Sequence, residues 1–218
     1  MDFTTSYASL LPSIARDCYD WREVRNAAAV LQSTNPAAFV DLVAILTEFR
    51  LLATDITDPG GSESAVPHRL NAAFRDRGWR EGMFMSRQSS TLTLLPYESA
   101  RETDPRLIDR ESESESYKID NIKDRVALDI EWHAKDGNLD RDVAAYRSLY
   151  EATIIDAAVV VTRHHRSIRA LSVRLGRAEG FKTTTTTNLE KLEPRLRRGD
   201  GGGCQILAVA ITDRCYAP

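Results

Sequence analysis

Residues 128–132 run Leu, Asp, Ile, Glu, Trp, so aliphatic or aromatic side chains alternate strictly with acids. A period of two belongs to a strand with one apolar face and one charged face, and it excludes a helix through this stretch. Asp129 and Glu131 then lie about 7 Å apart on the acidic face, at roughly 3.3 Å of rise per residue. If the chain folds back through Ile122 to Asp124, Asp120 falls on the neighbouring strand, about 4.8 Å to the side. Three carboxylates this close repel one another and hold their protons unless a cation neutralises them. Mg²⁺ is the natural candidate, because it prefers oxygen ligands and is usually held by one or two carboxylates together with substrate phosphate. A solvent-facing edge strand would show the same alternation, so the pattern leaves both readings open.

The surrounding elements read as α/β. Leu139 to Thr153 predicts a helix with Val143, Tyr146, Leu149 and Tyr150 on one side. Ala157 to Thr162 is a short, continuous, valine-rich run, which reads as a strand buried on both faces. A right-handed crossover would place it parallel to the acidic strand. Gln205 to Ile211 reads as the last strand. Apolar repeats at three and four predict helices over 6–16, 20–32 and 36–54, with Asn35-Pro36 as a start signal and Leu42, Ile45, Leu46 and Phe49 as a core stripe. This N-terminal third is expected to act as scaffold and dimer surface. Residues 58–62 read as a loop, and a helix from about His68 to Arg77 should close at Gly78. Strands are expected near 83–86 and 91–95. The polar, acidic stretch 99–116 reads as a mobile loop with no assigned chemistry.

At 218 residues and 42% hydrophobic content, the chain can bury one sizeable core, and a single domain over 1–218 is expected. The expected divisions are a mainly helical 1–98, the loop 99–116, and an α/β core over 117–211. No apolar run approaches the roughly 18 residues of a membrane span, and the N-terminus lacks a signal-peptide pattern, so the expected location is cytoplasmic. Cys18, Cys204 and Cys215 suit neither a disulfide framework nor a zinc site. The net charge is −3, but residues 160–198 hold ten Lys/Arg against three Asp/Glu. A basic third on an acidic chain can still track phosphates, because the local field steers a polyanion. Arg163, Arg166, Arg169, Arg174 and Arg177 recur at three- to five-residue steps, as they also would on a plain solvated helix.

Thr183 to Thr187 followed by Asn188 is an unusual polar run that reads, from the residues alone, as a loop with a helix N-cap. Gly199 to Gly203 lacks the Lys-Ser/Thr ending of a phosphate-binding loop and reads as a turn.

Asp120, then eight residues, Asp129, one residue, and Glu131 resembles the core of the BglII-type restriction endonucleases, a branch of the PD-(D/E)xK nucleases related to BamHI. The similarity runs on through Glu131-Trp132-His133-Ala134-Lys135-Asp136, Asp140-Arg141-Asp142, Ile155-Asp156, Thr162-Arg163, Leu192-Glu193-Pro194-Arg195-Leu196 and Gly201-Gly202-Gly203-Cys204-Gln205-Ile206-Leu207. A weaker echo lies in Leu70-Asn71 and Gly78-Trp79-Arg80-Glu81. Two positions depart from the commoner pattern: Asp129 stands for Glu, and Glu131 stands for Lys, as in the BamHI variation.

The resemblance implies a restriction-endonuclease-like core, a central mixed sheet flanked by helices. It implies a Mg²⁺-dependent type II enzyme, with Mn²⁺ as the alternative ion, that cuts a short palindrome in double-stranded DNA and leaves a 5′-phosphate and a 3′-hydroxyl. The enzyme would be a homodimer, paired functionally with a cognate DNA methyltransferase. Asp120 and Asp129 would hold the metal with the backbone carbonyl of Ile130, and Glu131 would orient or activate water. Glu81, with Asn71 as runner-up, would supply a further polar residue near the metal. Lys123, Lys135, Lys182, Thr184, Thr185 and Asn188 are the candidate DNA contacts, and Trp79 and Trp132 are expected to pack. The competing readings are a nuclease-fold DNA-binding protein that has lost cleavage, and a nuclease that acts on modified DNA.

Overall fold

The computed structural model describes residues 1–58, 65–182 and 184–218. The chain forms helices α1 (Tyr7–Leu10) and α2 (Ser13–Cys18), strand β1 (Tyr19–Val24), helices α3 (Ala27–Thr34), α4 (Pro36–Glu48), α5 (Ala53–Thr57) and α6 (Ala65–Asp76), then strands β2 (Arg80–Phe84), β3 (Arg87–Leu94), β4 (Arg106–Glu113), β5 (Tyr117–Lys123) and β6 (Val126–Ile130). Helix α7 (Gly137–Glu151), strand β7 (Ala157–Arg163), helices α8 (His165–Arg174) and α9 (Leu189–Arg198) and strand β8 (Gln205–Ile211) complete it. Two compact units result: Met1–Gly82 with Ile119–Pro218, and Met83–Lys118.

A mixed six-stranded sheet, ordered β1-β8-β7-β6-β5-β2, forms the centre, and β3 and β4 pair separately. Strands β6, β7 and β8 run parallel, β1 runs antiparallel to β8, and β5 runs antiparallel to β6. This is the α/β, nuclease-like architecture that the sequence led us to expect, with the valine run parallel to the acidic strand.

Each face of the sheet has its own packing. Val159, Val161, Leu207, Val209 and Ile211 join one cluster with α3, α4 and α6, among them Leu31, Phe39, Leu42, Ile45, Leu46, Leu70 and Phe74. The alternate residues Ala158, Val160, Ala208 and Ala210 are mostly small, so α7 and α9 can approach the other face closely. Each buried Val or Leu contributes about 1.5–3 kcal/mol over an exposed one.

The hairpin that carries the acids is anchored locally. A two-residue turn joins Lys123 to Val126, and Asp124 supplies its left-handed φ of 50°. The guanidinium of Arg125 grips Asp156 at 2.8 Å, the Asn35 side chain accepts the Arg125 N–H at 3.1 Å, and its amide donates to Asp156 at 3.1 Å. The turn is thereby tied to the start of β7 and to the residue preceding α4.

Three expectations need correction. Residues 20–32, read as helix, begin with β1, because Tyr19, Trp21 and Glu23 alternate inward and the strand's backbone groups pair with β8. Residues 99–116, read as a loop, contain β4, which meets β3 in eight-residue antiparallel register. The helix expected over 36–54 stops at Glu48, where Phe49 turns extended. Most of the loop expected at 58–62 lies outside the described residues. Trp79 and Trp132 are fully buried, as expected, and the three cysteines are free. Among the described residues no helix is long and apolar enough to cross a membrane.

Candidate active site

Antiparallel register sets Asn121 opposite Leu128, which puts Asp120 opposite Asp129 on the same face of the sheet. The two residues are also hydrogen-bonded: the Asp120 N–H donates to Asp129 Oδ1 at 2.8 Å, and the Ile130 N–H donates to Asp120 Oδ2 at 3.2 Å. Glu131 follows at the end of β6. Its N–H donates to the Val161 carbonyl at 2.7 Å, and its own carbonyl accepts the Thr162 hydroxyl at 2.7 Å. Asp129 is 4% exposed and Glu131 is 7% exposed, so neither is a solvated surface acid.

A fourth carboxyl group stands over them. Asp142 on α7 pairs with Glu131, and Tyr146, one turn further on, donates to Asp129 Oδ2 at 2.6 Å. Burial raises the Asp129 pKa to about 7 against the lowering effect of Tyr146, and Asp120 and Glu131 add repulsion. Burial, then repulsion from Asp129 and Glu131, raises Asp142 to about 9. Glu131 is raised by burial and by Asp120, with Asn138 and Thr187 beside it pulling the other way. Sequence reasoning named Asp142 only within a resembling segment. The available signal was its place on α7, one turn before the fully buried Tyr146 and three residues after the buried Leu139.

Among the described residues no set of three or more His, Cys, Asp or Glu side chains converges closely enough to hold a metal ion as it stands. The donor set nevertheless suits a hard divalent cation. It is made only of carboxylate oxygens, and Glu131 Oε2 and Asp142 Oδ2 are buried with no hydrogen-bond partner.

Beyond β6 the chain is organised by Arg163, which ends β7 and is 1% exposed. Its guanidinium donates to the Trp132 carbonyl and, at 2.6 Å, to the Thr186 hydroxyl, and it lies 5.5 Å from the centre of the Phe181 ring. His133 stacks on the same ring at 4.8 Å. The threonine loop is held against the acidic strand by the Thr187 N–H, which donates to the Ala134 carbonyl at 2.9 Å, and by a bridge between Lys135 and Thr186.

The remaining candidates separate into two groups. Lys123 donates to Asp41 at 2.7 Å and to the Arg77 carbonyl at 2.9 Å, so it fastens β5 to the helical layer and is no open phosphate contact. Asn188 is 1% exposed and caps α9, accepting the Lys191 N–H at 3.0 Å; the N-cap reading holds, and base reading by this side chain does not fit. Asn71 accepts from Asn121 at 2.6 Å, on the face of β5 opposite Asp120, which removes it from the carboxylate cluster. Glu81 is exposed on β2, the edge strand beside β5. Lys135, Lys182, Thr184 and Thr185 are exposed, and Lys182 pairs with Glu179 at 3.0 Å. Thr183 lies outside the described residues.

A mixed α/β sheet flanked by helices, with a carboxylate cluster where an antiparallel hairpin meets a parallel strand, is a restriction-endonuclease-like fold. The family described as "Restriction endonuclease BglII/BglIII" matches residues 19–211. The chain belongs to that family and is a type II site-specific deoxyribonuclease acting on double-stranded DNA. Nothing among curated proteins matches the chain.

Proposed function

We propose that the chain cuts both strands of a short palindromic DNA site as a Mg²⁺-dependent homodimer, with Asp120, Asp129 and Glu131 as its catalytic acids. The observation that carries this reading is the cross-strand pair Asp120 and Asp129 with Glu131 on the same face, all drawn into a largely buried cluster whose mutual repulsion a cation would relieve. Asp120 and Asp129, with the Ile130 carbonyl, would hold the ion, and the orphaned oxygens of Glu131 and Asp142 lie beside them. Bound there, Mg²⁺ would supply Lewis-acid stabilisation to the phosphoryl oxygens and acidify water. The protein's own part is the placement of groups. Glu131 orients water and takes its proton for in-line attack on phosphorus, which leaves a 5′-phosphate and a 3′-hydroxyl with no covalent enzyme intermediate. Tyr146 fixes the orientation of Asp129, and the buried walls keep bulk water out.

Two-fold symmetry of a homodimer would match a palindrome, each subunit cutting one strand. Lys135, Lys182, Thr184 and Thr185 lie on the surface as candidate DNA contacts, Glu81 remains a candidate at the sheet edge, and a cognate methyltransferase would protect host sites. The test is purified protein incubated with unmethylated phage DNA in Mg²⁺ or EDTA, with Asp120→Ala alongside. Discrete fragments that require Mg²⁺ and vanish in the variant are expected. Fragments produced equally by the variant would remove the acids from the mechanism.

A further inference from the structure

The five arginines that recur over 163–177 have different roles in the structure. Arg163 is buried between Trp132 and Thr186. Arg174 approaches Asp213 at 3.5 Å, and Arg177 donates to the Ile56 and Asp58 carbonyls. Arg166 and Arg169 are exposed on α8, three residues apart and therefore neighbours on one helical face. Neither side chain makes a hydrogen bond or ion pair among the described residues.

Both open on a groove of about 580 Å³ whose other walls are His165, Ala170, Val173 and Thr184. Among the described residues no carboxylate lines it. The N–H groups of His165 and Arg166 at the head of α8 already donate to Glu190, at 3.0 and 3.2 Å, so attraction for an anion there comes from the guanidiniums and not from the helix end. Burial, with the charges of Arg163 and Arg169, lowers the His165 pKa below the ordinary histidine value. The groove therefore offers two cations, one hydroxyl and a small apolar wall. The site also lies near the chemistry: Thr184 is three residues from Thr187, which stands beside Glu131, and three residues of chain cannot span more than about 10 Å.

We propose that this groove seats a sugar-phosphate segment of the duplex beside the bond that is cut. Arg166 and Arg169 engage phosphate oxygens, the Thr184 hydroxyl donates to the same strand, and Ala170 and Val173 pack against deoxyribose. The proposal rests on the nuclease reading above and adds binding residues to it. Contacts of this kind strengthen binding without reading sequence, so their loss weakens cognate and random duplexes alike.

The experiment compares wild type, Arg166→Ala/Arg169→Ala, the charge-keeping Arg166→Lys/Arg169→Lys, and a control of equal charge loss, Arg16→Ala/Arg147→Ala. Duplex affinity is measured by fluorescence anisotropy across a salt series in Ca²⁺ and in EDTA, and thermal melting reports folding. The alanine pair should lose roughly tenfold to a hundredfold in affinity and flatten the dependence of log K on log salt by about two, near 0.9 per phosphate contact. The lysine pair should keep most of that slope, and the control should keep nearly all of it. In Mg²⁺, KM for DNA should rise in the alanine pair while kcat stays within a few-fold. Equal losses in the alanine and control pairs, an unchanged salt slope, or no duplex binding by wild type would each overturn the groove. A wild type that cleaves while the alanine pair keeps its KM would overturn the groove and leave the nuclease reading standing. A wild type that binds duplex without cutting would end the nuclease reading, and the slope difference would still decide the groove.

Discussion

Strand β6 and strand β4 of the β3–β4 ribbon both carry acids beside aliphatic residues, yet every residue of β6 is buried and every residue of the ribbon strands is exposed. In the ribbon, charge meets water. Arg87 pairs with Glu113 at 3.0 Å with both side chains more than half exposed, and the Thr91 hydroxyl donates to Asp109 at 2.6 Å. Exposed pairs of this kind contribute 0 to about 1 kcal/mol. In β6 an acid faces a protein interior, where charge without a partner is costly. Asp129 is accommodated there by the Asp120 N–H and the Tyr146 hydroxyl, while Glu131 and Asp142 are left incompletely satisfied. An acid on a strand is therefore solvated in one place and constrained by its neighbours in the other, and burial is what separates them.

The sharpest way to break this contrast is to remove one acid from each region. Asp129→Ala should lower kcat for DNA cleavage by at least about a thousandfold, in line with loss of a central catalytic group. Glu111→Ala in the ribbon should leave kcat within about twofold, measured on the same plasmid substrate. Comparable losses from the two would mean that burial does not mark the catalytic acids.

Arginines offer the next comparison. Arg163→Leu leaves the Trp132 carbonyl and the Thr186 hydroxyl without their buried donor and should cost about 3 kcal/mol in urea unfolding. Arg87→Leu, on the exposed ribbon, should stay within about 0.5 kcal/mol.

Acidity sharpens the contrast further. Asp129 at about 7 and Asp142 at about 9 lie above their unfolded value near 4, so the folded chain binds protons more tightly than the unfolded chain. Their contribution to stability is therefore fully present below about pH 4 and is lost as pH rises through 7 toward 9. In EDTA the melting temperature should fall between pH 6 and pH 9, and Asp142→Asn should flatten that fall, each kcal/mol appearing as about 2–4 °C. A melting temperature that climbs over the same range would contradict the cluster's protonation. A modest effect should come from the cap of α9: Asn188→Ala should cost about 1 kcal/mol in unfolding and leave the salt dependence of DNA binding unchanged.

Legibility in the sequence followed the range of the interaction. Period-two alternation located β6, a valine run located β7, and Gln205–Ile211 was read to the residue, because strands buried on both faces write their environment into composition. Asp120, Asp129 and Glu131 were legible as a group because a two-residue turn leaves little freedom in register. Strand β1 was not legible: its inward residues Tyr19, Trp21 and Glu23 gain their pattern from β8, almost two hundred residues away. Lys123 and Asn188 carried the right chemistry for DNA, but Asp41 and the backbone of Lys191 claim them.

The sequence by itself determined the α/β class, the acidic hairpin and the family, since these depend on local periodicity and on residues within a dozen positions of one another. Only the tertiary structure decided that Asp142 and Tyr146 join the acids, that Asn71 lies on the opposite face, and that Arg166 and Arg169, of the five arginines over 163–177, are exposed without a side-chain partner among the described residues. The reason is physical: burial and hydrogen-bond partnership arise where distant segments meet, and they determine whether a charge is solvated, neutralised or left available.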